Sequence, residues 1–178
     1  MQFINQQNIV MMVVLIVIAA FVPSVHAESF AGTITYSGRT CSGTPLVVSV
    51  INSVDCEDVE CLIFIADGTT YSSATTCEKI NHQTYVSDVF ADSNYVMIET
   101  FANECKGFLG AIAFLATGKC QVYDDQGVNY VIAKVNEDGS ASVDIYNNSS
   151  CTGTPSLGYE PDSETVMKHS CYMDYSVI

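Results

Sequence analysis

The sequence predicts an all-β fold, a disulfide-stabilised antiparallel sandwich or open barrel. Three observations lead there. Apolar residues alternate at period two through most of the chain, and helical periodicity is rare. Turns containing Gly, Asp or Asn interrupt the alternation at short intervals. Eight cysteines, an even number, are spread over residues 41–171. The chain has 178 residues, 48% of them hydrophobic, enough for one domain with a real core.

Residues 1–27 are set apart from that fold. An unbroken apolar run fills 9–22 and meets Pro23, and Val25-His26-Ala27 follows. Small or aliphatic residues occupy the two positions that a signal peptidase inspects, which predicts a signal peptide cleaved after Ala27. The segment before the run has no Lys or Arg, a departure from the usual pattern. The alternative is an uncleaved anchor, but a bilayer core needs roughly 20 apolar residues, and this run is shorter and ends at proline. Residues 28–178 are then expected to form a single secreted β domain, with no linker or composition break inside it.

The elements follow in order. Residues 32–36 alternate, and 46–54 are rich in β-branched side chains. Residues 62–66 are a fully apolar run stopped by Asp67-Gly68. A short helix or an irregular loop fits best in 82–93. Residues 95–101 place Val96 and Ile98 on one face and Tyr95, Met97 and Phe101 on the other, so both faces should be buried. Strands at 112–116 and 121–123 flank Gly118 and Cys120. The clearest hairpin joins 128–135 to 140–146 through Asn136-Glu137-Asp138-Gly139, whose Asp-Gly pair suits such a turn. A last strand is expected near 172–177.

Cys41, Cys56, Cys61, Cys77, Cys105, Cys120, Cys151 and Cys171 read as four disulfides, because a secreted chain passes through an oxidising route. Zinc is the rival use of cysteines, but only Cys56 and Cys61 are close, and no second matched pair exists. Three segments resemble one another, each an aromatic, a few polar residues and Cys-x-Gly, at Cys41, Cys105 and Cys151. The first and third share Cys-x-Gly-Thr-Pro. They are read as three repeat units, each a strand ending in a cystine, a Gly turn and a return strand pinned to it. Sequential pairing then gives Cys41–Cys56, Cys61–Cys77, Cys105–Cys120 and Cys151–Cys171. A second scheme exchanges the first two for Cys41–Cys61 and Cys56–Cys77. Both schemes share Cys105–Cys120 and Cys151–Cys171.

Catalytic motifs are scarce. Beyond the signal segment there are two histidines, His82 and His169, and neither stands in a recognised motif. Acidic residues cluster at Asp55, Glu57, Asp58 and Glu60, at Asp124 and Asp125, and at Glu160, Asp162 and Glu164. A glycosidase needs two facing carboxyls, but these clusters read first as solvated loops. None has the spacing of a calcium loop, so no metal and no cofactor is expected. Asn147 and Asn148 begin overlapping glycosylation sequons beside Cys151. The formal net charge is −14, from 20 acids and six bases. That excludes phosphate-backbone binding as the main activity and disfavours anionic membranes, so neither nucleic acid nor, after signal cleavage, a membrane is an expected partner. The same balance predicts greater heat stability at about pH 5 than at pH 7, as mutual repulsion is relieved.

Cys41-Ser42-Gly43-Thr44-Pro45, Phe114-Leu115-Ala116-Thr117-Gly118-Lys119-Cys120 and the Asp138-Gly139-Ser140-Ala141-Ser142-Val143 hairpin occur together behind a signal peptide. In this the chain resembles the small secreted cysteine-rich proteins of oomycetes, over most of residues 28–178. The resemblance implies an extracellular, host-facing role and brings no catalytic residues with it. The known short elicitors of that group have different cysteine patterns. The expected function is therefore binding, effector- or elicitor-like, at a host or cell-wall surface, with an extracellular protein or carbohydrate as partner. An extracellular acid hydrolase using paired carboxylates is the alternative, and a structural cell-surface protein a third.

Overall fold

In the computed structural model, which describes residues 29–177 other than 92, 125, 174 and 175, two antiparallel sheets face each other. The predicted signal peptide lies outside the described residues. The strands are β1 (Phe30–Ser37), β2 (Pro45–Asn52), β3 (Val59–Ala66), β4 (Thr69–Glu78), β5 (Tyr95–Asn103), β6 (Lys106–Leu115), β7 (Gln121–Val122), β8 (Tyr130–Val135), β9 (Ala141–Tyr146), β10 (Leu157–Tyr159), β11 (Cys171–Tyr172) and β12 (Ser176–Val177). Two helices interrupt them, α1 (His82–Phe90) and α2 (Ser163–Lys168). The larger sheet has eight strands in the order β11-β12-β5-β6-β2-β1-β4-β3, and the smaller has four in the order β10-β9-β8-β7. The sandwich form of the prediction is the one observed.

Period-two alternation decides which side chains meet. Val47, Val96, Ile98 and Phe114 of the large sheet pack on Val131, Ala133, Ala141 and Val143 of the small one. Their sequence neighbours point the other way: Val48, Val50, Ala111 and Ala113 pack with Tyr85, Val86 and Phe90 of α1. The large sheet is thus buried on both faces at its centre, by the small sheet and by the helix. Val96 and Ile98 do lie on the face opposite to Tyr95 and Met97. Asn81 starts α1 by accepting from the backbone N–H groups of Gln83 and Thr84. Gly32 allows the helix to approach, since a Cβ there would lie 2.5 Å from the Tyr85 ring. The hairpin of β8 and β9 closes through Asn136 N–H to the Ser140 carbonyl, with Asp138 accepting from Ser140 N–H.

All eight cysteines are bonded, as Cys41–Cys61, Cys56–Cys77, Cys105–Cys171 and Cys120–Cys151. The second scheme's Cys41–Cys61 and Cys56–Cys77 are present; Cys105–Cys120 and Cys151–Cys171 are not. The physical reason lies in the hairpins. Cys41, Cys105 and Cys151 each sit in the turn of an antiparallel pair, β1–β2, β5–β6 and β9–β10. The ladder already holds each return strand. The sulfurs instead reach a third segment: Cys61 on β3, Cys171 on β11, and Cys120 just before β7. The three turns share a local backbone, with φ of 43°, 53° and 48° at the cysteines and positive φ at Gly43, Gly107 and Gly153. An L-residue rarely takes that conformation, and the glycine two places on takes it at little steric cost.

Candidate functional site

The two histidines of the described residues converge on one buried acid. His82 is the first residue of α1, and its Nε2 lies 2.5 Å from Oε1 of Glu99 on β5. Gln83 Nε2 donates to the same oxygen at 2.9 Å. The His82 ring stacks on Phe108, with centroids 4.0 Å apart, and Phe108 meets Phe101 edge-on. Glu99 is only 4% exposed. His169 caps the C-terminus of α2 in the left-handed conformation, and its charge also acts on Glu99. Burial pushes the Glu99 carboxyl up, but the hydrogen bonds from His82 and Gln83 and the charges of both imidazoles together hold it below its ordinary value. Spacing alone did not connect these residues. The available signal was an acid inside the apolar strand 95–101.

Beside this group lies a cavity of about 270 Å³. Its lining includes residues of β5, with which β12 pairs, among the described residues, at Glu99 and Thr100. Tyr95, Val96, Met97, Val135, Ala141 and Val166 give it an apolar lining, and Gln83, Glu99 and His169 its polar groups. Two further cavities lie elsewhere. One, about 320 Å³, is lined by Thr33, Thr35, Ser49 and Asp124; the other, about 240 Å³, by Asp67, Tyr130 and Asn148 among others. Among the described residues each of these three cavities has one carboxyl in its lining, where an acid hydrolase requires a facing pair.

The predicted acidic clusters, apart from Asp125, which lies outside the described residues, are structural or solvated. Asp55, Glu57, Asp58 and Glu60 are exposed, and Asp58 accepts from Cys77 N–H. Asp124 accepts from Val128 N–H and Asn129 Nδ2. Asp162 caps α2 through Thr165 N–H. Asn147 and Asn148 lie in the exposed turn after β9, where Asn148 is engaged by Ser150 and by the Thr152 backbone.

One edge of the large sheet is apolar and exposed. β3 ends the large sheet, paired with β4 on one side and, among the described residues, with no strand on the other. A fully apolar run such as 62–66 ordinarily marks a buried strand. Here Leu62 is 57% exposed, Ile63 50% and Ile65 70%. Phe64 and Ala66 alone turn inward, toward Tyr71, Tyr130 and Val122. Exposed edges are usually blunted by Lys, Pro or a bulge. β3 has an irregularity between Val59 and Leu62, and residues 62–66 contain none of these devices.

No family model, no curated protein and no solved structure matches the chain.

Proposed function

We propose that the chain is secreted and acts by binding, taking an extended segment of a partner protein along the free edge of β3. The carrying observation is the exposed run Leu62-Ile63-Phe64-Ile65 on an edge strand. Such an edge offers unpaired N–H and C=O groups to another backbone, and alternate side chains on both faces give specificity. Of the two expected partner classes, protein and carbohydrate, main-chain pairing favours protein. Charge specifies the partner further. Asp55, Glu57, Asp58 and Glu60 precede the run and Asp67 follows it, so the incoming strand should be apolar with Lys or Arg at its ends. A second copy would bring acids against acids, which opposes the self-association of a coat protein. Four disulfides are what an oxidising, extracellular setting permits. The effector- or elicitor-like role at a host or cell-wall surface, and the resemblance to secreted oomycete proteins, belong to this same proposal.

The test uses two synthetic peptides of alternating Val and Thr, one flanked by Lys and one by Glu, titrated into the folded protein. The Lys-flanked peptide should bind about tenfold or more tightly than the other, and Ile65→Lys should abolish its binding. Absence of binding by either peptide, or undiminished binding to the variant, would overturn the proposal.

A further inference from the structure

We infer that the cavity beside Glu99 is a binding site for a primary ammonium group carried on an apolar body. This site is separate from the β3 edge and does not depend on it. The inference starts from Glu99, an acid only 4% exposed that lines this cavity. A buried carboxylate held in its ionised form is ordinarily matched by a cation. The chain has six Lys and Arg residues, and none lines this cavity. Two of them are committed elsewhere, Lys106 to Glu104 and Lys168 to Glu164. Around Glu99 stand the His82 and His169 imidazoles and the Gln83 amide.

The geometry leaves one oxygen of this carboxyl open to a ligand. His82 and Gln83 both bond Oε1, and no hydrogen bond from a described residue is made to Oε2. Glu99 lines the cavity, and the rest of the lining is largely Tyr95, Val96, Met97, Val135, Ala141 and Val166. A ligand ammonium would donate to the carboxylate while its apolar part covers those side chains. An anionic ligand is disfavoured twice, by Glu99 and by the net charge of −14.

The experiment titrates hexylamine, hexanol and sodium hexanoate separately into the folded protein at pH 7.5 and low salt, following binding by calorimetry and by backbone amide shifts. Hexylammonium should bind at least about tenfold more tightly than either of the others, as a charge-assisted hydrogen bond provides. Its shifts should centre on Gln83, Met97 and Val166. Glu99→Gln should bring hexylammonium down to the level of hexanol and leave hexanol unchanged. Should that variant fail to fold, Val166→Trp in the cavity lining should block all three compounds. Equal or tighter binding of hexanoate, no binding of hexylamine, or amide shifts centred elsewhere would overturn the inference.

Discussion

Cys105 is bonded to Cys171 across 66 residues and fastens the β5–β6 turn to β11. It closes the longest span of the four bonds; Cys41–Cys61 closes only 20. A cross-link stabilises chiefly by restricting the unfolded chain, and the effect grows with the logarithm of the loop. Replacing Cys105 and Cys171 together by Ser should cost about 4 kcal/mol, against about 3 kcal/mol for Cys41 and Cys61. Denaturant unfolding of the two double variants checks the order. Peptide mapping without reduction should recover the Cys105–Cys171 link.

At Gly32 the Tyr85 ring of α1 lies close against the sheet. Tyr85 is buried, and its hydroxyl bonds the Gly32 carbonyl and Thr76 Oγ1. Gly32→Val would drive a side chain into that ring and should cost about 1–3 kcal/mol, as overpacking does. Near-ultraviolet circular dichroism and denaturant melts should both register the displaced tyrosine.

The pH response follows from three carboxyls held below their ordinary range. Glu99 is buried, yet its His82 and Gln83 hydrogen bonds and the imidazole charges outweigh burial. Asp138 is lowered by Ser140 and Asp162 by the Thr165 N–H. A lowered folded pKa gives stability that is fully present above the unfolded value, about 4, and is lost as pH falls through the folded one. The melting temperature should therefore drop between pH 5 and pH 3, and Glu99→Gln should drop less. The expectation of greater stability at pH 5 than at pH 7 rested on net charge; all three displaced carboxyls move in the opposite direction to that argument and act below pH 5.

The sequons can be separated. Asn148 is held on both sides of its amide, donating to the Thr152 carbonyl and accepting from Ser150 and Thr152 N–H. Glycosylation needs a presented amide nitrogen. Material from a eukaryotic secretory host should carry glycan on Asn147, and Asn147→Gln should remove it. Intact-mass measurement before and after deglycosylation decides.

Much of the fold was legible because alternation is local. The strands β1, β2, β5, β8 and β9 and the β8–β9 turn follow from residues adjacent in the chain, whereas over 82–93 the sequence left a short helix and an irregular loop both open, and α1 is the helix. β4 was not legible, because Thr69–Glu78 is a Ser/Thr-rich segment with little apolar contrast, yet it lies inside the sheet between β1 and β3. α2 is too short for periodicity to reveal, and the expected last strand is two short ones, β11 and β12. The pairings of Cys105 and Cys120 depend on which strands meet, and spacing cannot carry that. The same holds for Glu99, which gathers His82, Gln83 and His169 from two helices.

The most direct test of the binding account follows backbone amide signals while the Lys-flanked Val/Thr peptide is added to the folded protein. Pairing on the edge should move the signals of residues 62–66 and slow hydrogen exchange at alternate residues there, where the new ladder forms. Shifts confined to other strands, or none at saturating peptide, would contradict the claim that β3 is the surface through which this protein works.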